Sequence, residues 1–103
     1  MEKRLSNKVA IITGAGSGIG RETSLLFLEE GAQVVLADIN EATLEETMNL
    51  VSQKGFKDNA VSVIADVSKE SAIESMVKTA MDEFGKLDIL FNNAGLGGAF
   101  GSI

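Results

Sequence analysis

Short apolar runs alternate with longer amphipathic segments along this chain of 103 residues. The apolar runs are rich in β-branched residues and have the length of strands, whereas the segments between them repeat their apolar residues at helical spacing. Strands that alternate with helices of about 10 to 15 residues pair in parallel through right-handed crossovers. The predicted strands are residues 8–13, 33–38, 60–66 and 87–92. The pattern therefore predicts an α/β fold of the order βαβαβαβ.

Glycines and small polar residues mark the expected ends of the helices. The first helix is predicted over residues 18–30, and Gly31 closes it. Asn40 and Ser68 have the short polar side chains preferred at helix N-termini, so we predict that they cap the second and third helices. Residues 1–103 then form a single domain, half of a Rossmann-type doubly wound parallel sheet with the strand order 3-2-1-4.

Composition excludes several classes of function. The formal charge is −6 and the pI about 4.5, so the phosphate backbone of a nucleic acid would be repelled. Without Cys or His, the chain has no disulfide, no thiolate chemistry, no zinc site of the usual ligand types and no imidazole base. We predict no metal site and no nucleic-acid partner.

The two ends of the chain carry their own expectations. The apolar run at residues 9–12 is too short for the hydrophobic part of a signal peptide or for a membrane span. Together with the missing Cys, this favours a soluble, cytoplasmic protein with no membrane partner. Residues 95–103 contain four glycines, and we predict a flexible tail there.

Residues 13–20 form a glycine-rich turn between the first predicted strand and the first helix, with the spacing G-x-x-x-G-x-G. Unpaired N–H groups and the helix dipole favour a bound phosphate at such a position. A side chain at Gly14 would obstruct the turn, one at Gly18 the approach of a diphosphate, and one at Gly20 the packing of helix on strand. The spacing departs from the strict G-x-G-x-x-G pattern, so a simple connecting turn is the alternative.

Asp38 ends the second predicted strand, 18 residues after Gly20, near the spacing of the acid that binds the adenosine ribose in dinucleotide sites. A 2′-phosphate about 4 Å from this carboxylate would cost roughly 4 kcal/mol per unit charge at an effective dielectric of about 20. Ser17 and Ile39 add no positive charge nearby, and Arg21 lies on the helix beyond the turn. The sequence therefore predicts NAD(H) rather than NADP(H), with a turn-forming role for Asp38 as the alternative.

Two later strands end in further candidate residues. After the third strand, Asp66 is placed to accept the adenine amino group, and Val67 to donate its backbone N–H to a ring nitrogen. Local capping near Ser68 is an equally good interpretation. After the fourth strand, the small residues of Asn92-Asn93-Ala94-Gly95 let the backbone approach the nicotinamide ribose. The two Asn side chains can also serve to pin neighbouring loops.

The motif T-G-x-x-x-G-I-G at residues 13–20, Asp38, Asp66-Val67 and Asn92-Asn93-Ala94-Gly95 together resemble the short-chain dehydrogenase/reductase family, in its classical branch. The likeness spans nearly the whole chain. It implies an oxidoreductase that interconverts a small-molecule alcohol and ketone by hydride transfer, uses NAD and assembles as a dimer or tetramer. The implied cofactor-binding residues are Gly14, Ser17, Gly18, Ile19, Gly20, Asp38, Ile39, Asp66, Val67, Asn93, Ala94 and Gly95.

The resemblance also gives these residues separate roles. Those of the turn line the diphosphate and ribose, Asp38 binds the adenosine ribose, Asp66 and Val67 bind adenine, and residues 93–95 neighbour the nicotinamide. It further implies that the family's catalytic Ser, Tyr-x-x-x-Lys pair and Asn come later in a longer chain. Because this sequence contains no Tyr, we expect a truncated chain without catalytic residues that is inactive alone.

Two other functions stay open at this point. A naturally short chain would fit a non-catalytic module that binds a nucleotide or a complementary polypeptide. Residues 14–18 also read G-x-G-x-G, as in S-adenosylmethionine-dependent methyltransferases, although Ile12 and Thr13 stand where those enzymes have an acid. Whatever the function, a hydrophobic parallel strand at residues 87–91 would lie at an open sheet edge. We therefore expect the isolated chain to be marginally stable or to self-associate.

Overall fold

The structure is a computed structural model that describes residues 3–93. Ala94, Gly95 and the tail predicted at residues 95–103 lie outside the described residues. The elements are β1 (Val9–Thr13), α1 (Gly18–Glu29), β2 (Gln33–Asp38), α2 (Glu41–Gln53), a 3-10 helix (Lys57–Asn59), β3 (Ala60–Ile64), α3 (Glu70–Phe84) and β4 (Ile89–Phe91). The predicted alternation of strands and helices is confirmed.

The strands form one sheet in the order β3-β2-β1-β4, and all three neighbouring pairs are parallel. The predicted order 3-2-1-4 is therefore confirmed. Ile11 in the middle of β1 lies opposite Val35 of β2 and Leu90 of β4. Within the described part of the chain, β1 and β2 are central strands, while β3 and β4 lie at the edges.

Both faces of the sheet are covered by helices. Successive side chains of a strand point to opposite faces, so Ile12 packs on the side of α1 and α2, and Ile11 packs on the side of α3. The first cluster also contains Leu28, Leu36, Leu44 and Val51, and the second contains Val9, Val35, Met76 and Ala80. All of β1 is buried as a result. This explains why β1 has apolar residues at four successive positions, Val9 to Ile12, rather than at alternate positions.

The signals at the ends of the first two helices act as predicted. Gly31, which follows α1, has a φ of +98°. The side chain of Asn40 accepts a hydrogen bond from the N–H of Thr43 at 3.1 Å, so it caps α2. These local features fix where each helix turns back toward the sheet.

The prediction that Ser68 caps α3 is wrong. The N-cap of α3 is Lys69, whose side chain makes no capping hydrogen bond. Ser68 instead donates its backbone N–H and its hydroxyl to Oδ1 of Asp66, at 3.0 and 2.7 Å. The carboxylate two residues earlier thus binds the hydroxyl that would otherwise have capped the helix.

Both edge strands are shorter than predicted. β3 ends at Ile64, so Asp66 lies in the loop that follows it, and β4 pairs with β1 over three residues only. β3 ends opposite Asp38, the last residue of β2, whereas β4 pairs only with residues 10–12 of the longer β1. Leu90, in the middle of β4, is 50% exposed. No helix among the described residues is both long and apolar enough to cross a membrane.

Candidate functional site

The candidate residues meet at the carboxyl end of β1. The chain runs from β1 outward to β2 and β3, and then crosses back to β4 on the other side of β1. The carboxyl ends of parallel strands share one edge of the sheet, and such a reversal of strand order opens a crevice there in α/β proteins. The glycine turn, residues 14–17, joins β1 to α1 at this reversal.

The backbone of the turn needs glycine for two reasons. Gly14 and Gly18 have φ angles of +65° and +57°, a region that other residues enter only with strain. At Gly20 the reason is space, because a Cβ there would collide with the carbonyl of Gly14 and lie 2.9 Å from Nδ2 of Asn93. The close approach expected at Gly20 is therefore present, although to the turn rather than to the strand. A Cβ at Gly18 would meet no atom of the described residues within 4 Å, so this part of the structure leaves the space beside it open.

The first turn of α1 fits a bound phosphate. Its N-cap, Ser17, has an extended backbone, and the Ser17 hydroxyl makes no capping hydrogen bond. The first N–H groups of a helix lack partners within the helix and carry the positive end of its dipole. Ser17 and Ile19 are exposed, the latter by 64%. Backbone donors that the N-cap side chain does not use, at an exposed helix start, suit a diphosphate.

Asp38 is held by two backbone N–H groups at the end of β2. Its Oδ1 accepts from Asn40 at 3.0 Å, the local turn that the simpler interpretation predicts. Its Oδ2 accepts from Gly16 at 2.8 Å, across 22 residues of sequence. The carboxylate is therefore tied to the glycine turn as well as to its own turn. Ile39 beside it is 64% exposed.

Gly16 and Arg21 belong to this site, and the sequence analysis missed both roles. A Cβ at Gly16 would lie 2.5 Å from Oγ1 of Thr43 and 2.7 Å from Oδ2 of Asp38, so the start of α2 lies directly on the turn. Arg21 donates to the carbonyl of Gly16 at 2.6 Å. The only sign of this role in the sequence is that Gly16 stands at a position of the motif where other residues are allowed. The contacts of Arg21 depend on how α2 packs, which the spacing does not specify.

The two asparagines after β4 pin this strand to the turn. Thr13 donates its hydroxyl to Oδ1 of Asn92 at 3.0 Å, and Nδ2 of Asn93 donates to the carbonyl of Gly14 at 3.4 Å. The loop-pinning role weighed for these side chains is therefore present. It brings the end of β4 next to the first glycine of the turn.

Asp66 and Val67 lie in the loop after β3. The hydrogen bonds from the hydroxyl and N–H of Ser68 hold the pKa of Asp66 below its ordinary value. Val67 is half-buried and packs against the core on the side of α3. The local interpretation therefore accounts for the hydrogen bonds of one oxygen of Asp66, Oδ1. A contact of Asp66 and Val67 with adenine stays a prediction.

The sequence and the fold have close counterparts. Residues 8–102 match the sequence profile of a family described as short chain dehydrogenase. The short chain dehydrogenase/reductase astE of Aspergillus oryzae is 48% identical over 93 residues, which cover 89% of this chain and 35% of its own length. The apo-form of glucose dehydrogenase of Caenorhabditis elegans superposes with a TM-score of 0.84 at 44% identity, over 87% of this chain and 38% of its own. A short-chain dehydrogenase/reductase of Burkholderia phymatum in complex with NAD gives 0.78 at 34% identity, over 87% and 31%.

The matches cover almost all of this chain but a smaller part of the relatives. The chain spans 33% to 36% of the length of the first curated relatives that it matches. The profile match nevertheless extends from the start of β1 beyond the end of β4, through the turn, Asp38 and the two asparagines. The chain therefore belongs to the short-chain dehydrogenase family.

Proposed function

We propose that this chain binds NAD(H) as the dinucleotide-binding part of an oxidoreductase that interconverts an alcohol and a carbonyl by hydride transfer. The observation that carries the proposal is the carboxylate of Asp38, which the N–H groups of Gly16 and Asn40 hold beside the glycine turn. Family membership supports the class of reaction, and a structure of similar fold contains NAD.

Charge favours NAD(H) over NADP(H) in this proposal. The ribose hydroxyls of NAD can donate to the Asp38 carboxylate, whereas a 2′-phosphate about 4 Å away would lose roughly 4 kcal/mol per unit charge. Arg21 lies near the turn, but its guanidinium already contacts the carbonyls of Gly16 and Thr43 and the carboxylate of Glu46. Its charge is thereby directed toward α2 instead of toward a 2′-phosphate.

The other predicted contacts complete a path for the dinucleotide along the carboxyl edge of the sheet. The diphosphate would bind the first turn of α1, adenine the loop after β3, and the nicotinamide the segment after β4. We assign these contacts to Gly14, Ser17, Gly18, Ile19 and Gly20, to Ile39, Asp66 and Val67, and to Asn93, Ala94 and Gly95. In this arrangement Asp66 has one carboxylate oxygen, Oδ2, on the side not used by Ser68.

NAD would supply the hydride acceptor, and the residues of this chain would bind and orient it. In this proposal the acid or base that exchanges a proton with the substrate oxygen comes from elsewhere, since the chain has neither the phenol of Tyr nor the imidazole of His. We propose that the catalytic Ser, Tyr and Lys and the pocket for the alcohol or ketone belong to further sequence. A dimer or tetramer is part of the same proposal, and the cytoplasmic location stays a prediction from the sequence.

Titration of the full natural chain with NADH and NADPH tests the cofactor assignment. The fluorescence of the reduced dinucleotide itself provides the signal. We expect NADH to bind at least about 100-fold more tightly, which is less than the full charge penalty would give. Asp38→Asn should weaken NADH binding and reduce this preference. Asp58→Asn is the matched control, because Asp58 is exposed on the 3-10 helix.

Three results would contradict the proposal in different ways. Equal affinity for NADPH would remove the role of Asp38 in selecting the cofactor. Tight binding of S-adenosylmethionine without any response to NADH would instead support the methyltransferase pattern. Dehydrogenase activity that arises only when a separate second chain is added would favour the non-catalytic module.

A further inference from the structure

Arg21 connects α1, the glycine turn and α2. Its Nη2 donates to the carbonyl of Gly16 at 2.6 Å, and its Nε donates to Oγ1 of Thr47 at 2.8 Å. The same Nη2 lies 3.2 Å from the carbonyl of Thr43 and 3.2 Å from Oε1 of Glu46. With 23% of its side chain exposed, Arg21 is held from several directions. It is a brace between the two helices that frame the end of β2.

Gly16 links Arg21 to the carboxylate of Asp38. The carbonyl of Gly16 accepts from Arg21, while its N–H donates to Oδ2 of Asp38 at 2.8 Å. The fit is tight, since a Cβ at Gly16 would lie 2.7 Å from the same Oδ2. A guanidinium stays charged at all ordinary pH values and forms a strong hydrogen bond with a carbonyl. Any movement of Gly16 would therefore move the acid that the NAD(H) proposal depends on.

We propose that Arg21 is a positioning residue for cofactor selection: through Gly16 it holds the Asp38 carboxylate where the adenosine ribose hydroxyls bind and a 2′-phosphate is repelled. This inference rests on the proposed function, because it concerns the same NAD(H) site. Arg21 acts here without touching the dinucleotide. Its positive charge, which would favour a 2′-phosphate if it were free, supports selection against that phosphate.

The test compares Arg21→Gln with Arg21→Lys in the full natural chain, by titration with NADH and NADPH. For Arg21→Gln we expect NADH affinity and the preference for NADH each to fall about tenfold, the equivalent of one charge-assisted hydrogen bond. Arg21→Lys should recover part of both values, because an ammonium group can still donate to Gly16 but lacks the fork that also reaches Thr47. The preference is the decisive readout, since a general loss of folded protein lowers the amount of binding without changing the ratio.

Two control variants separate Arg21 from charge effects in general. Arg4→Gln removes an exposed arginine that pairs with Glu30 at the far end of α1, and should leave both affinities unchanged. Glu46→Gln removes the ion pair of Arg21 but leaves its bond to Gly16, so the preference should also be kept.

Should Arg21→Gln fail to fold, Gly16→Ala tests the same link, because it crowds Asp38 directly and should lower the preference for NADH.

The outcomes distinguish this inference from the proposed function. A wild-type chain that binds neither dinucleotide would overturn the proposed function and the inference together. A wild-type chain that prefers NADH, with an Arg21→Gln variant that is less stable but keeps the full preference, would overturn only the inference and make Arg21 a structural brace. Loss of NADPH binding alone in Arg21→Gln would likewise overturn it, by showing that Arg21 binds the 2′-phosphate.

Discussion

Two carboxylates follow neighbouring strands of the sheet, and the structure holds them in different ways. Asp38, at the end of β2, accepts a hydrogen bond from Gly16, which is 22 residues away. Asp66, after β3, accepts its hydrogen bonds from the N–H and hydroxyl of Ser68, only two residues away. The first carboxylate is positioned by the glycine turn as well as by its own turn, and the second by its own loop alone. Tertiary packing thus fixes the acid for which we propose a role in cofactor selection.

The surroundings of the two acids differ in the same sense. We call residues 13–21 with Asp38 and Thr47 the turn region, and residues 65–69 the β3 loop. Thr13 and Thr47 are fully buried in the turn region, whereas Ser68 and Lys69 in the β3 loop are exposed. Substitutions of the buried residues in the turn region should therefore destabilise the protein strongly, and substitutions of the exposed residues in the β3 loop weakly.

The largest effect is expected from Gly20→Ala. A Cβ at this position collides with the carbonyl of Gly14, so α1 must move away from the turn, at a cost of about 3 kcal/mol in the free energy of unfolding. Gly85→Ala, after α3, is the control, because its Cβ meets nothing within 4 Å among residues 3–93 and the substitution carries the strain of a φ of +84°. That strain should cost about 1 kcal/mol. Urea denaturation measures both, and equal losses would show that the turn region is not crowded.

The next largest effect on the free energy of unfolding is expected from removing one hydroxyl group in the turn region, and removing one in the β3 loop is its control. In Thr47→Val, the carbonyl of Ala15 loses a donor at 2.9 Å and Nε of Arg21 loses an acceptor at 2.8 Å, inside a buried environment. We expect a loss of about 2 kcal/mol. Ser68→Ala removes an exposed hydroxyl from the β3 loop and should change the unfolding free energy by less than about 0.5 kcal/mol. A loss at Ser68 as large as that at Thr47 would contradict the distinction between the regions.

The central part of the fold was predictable from the sequence because its residues share the same buried environment. β1 and most of β2 are buried on both faces, so their apolar runs are continuous and their ends agree closely with the prediction. The edge strands were harder to predict, since a strand that pairs on one side has fewer contacts to fix its ends, and β4 pairs with only three residues of β1. Ser68 failed as a cap for a local reason, the competing carboxylate of Asp66.

The parts of the candidate site also differ in how far the sequence predicts them. The glycine turn and Asp38 follow a sequence pattern, since their spacing is set by one strand, one turn and one helix. The hydrogen bonds that join Gly16 to Asp38 and to Arg21 depend on how the end of β2 and the start of α1 pack against the turn. A motif with a free position at residue 16 gives no reason to expect that packing. The sequence pattern thus predicts residues that would touch a ligand, and the tertiary structure was needed to find those that we propose position them.

The smallest effect concerns stability in acid, and it extends the comparison to a third carboxylate. The pKa of Asp88 lies below its ordinary value. The main cause is a hydrogen bond from the N–H of Val9, 79 residues away, and the ammonium of Lys86 adds to it. The local bonds from Ser68 lower the pKa of Asp66. In both cases the ionised form favours the folded state. This stability is present above the pKa of the unfolded chain, about 3.9, and is lost as the pH falls through the lower pKa of the folded state.

Melting temperatures between about pH 6 and pH 3 should therefore fall most steeply below about pH 4. We expect Asp88→Asn to reduce this acid-dependent fall more than Asp66→Asn. The reason lies in the unfolded chain, where a bond between residues two positions apart can persist and lower the pKa there too, whereas a bond across 79 residues cannot. Asp58→Asn again serves as the exposed control. If Asp66→Asn flattened the curve as much as Asp88→Asn, the β3 loop would depend on the fold as strongly as the long-range contacts do.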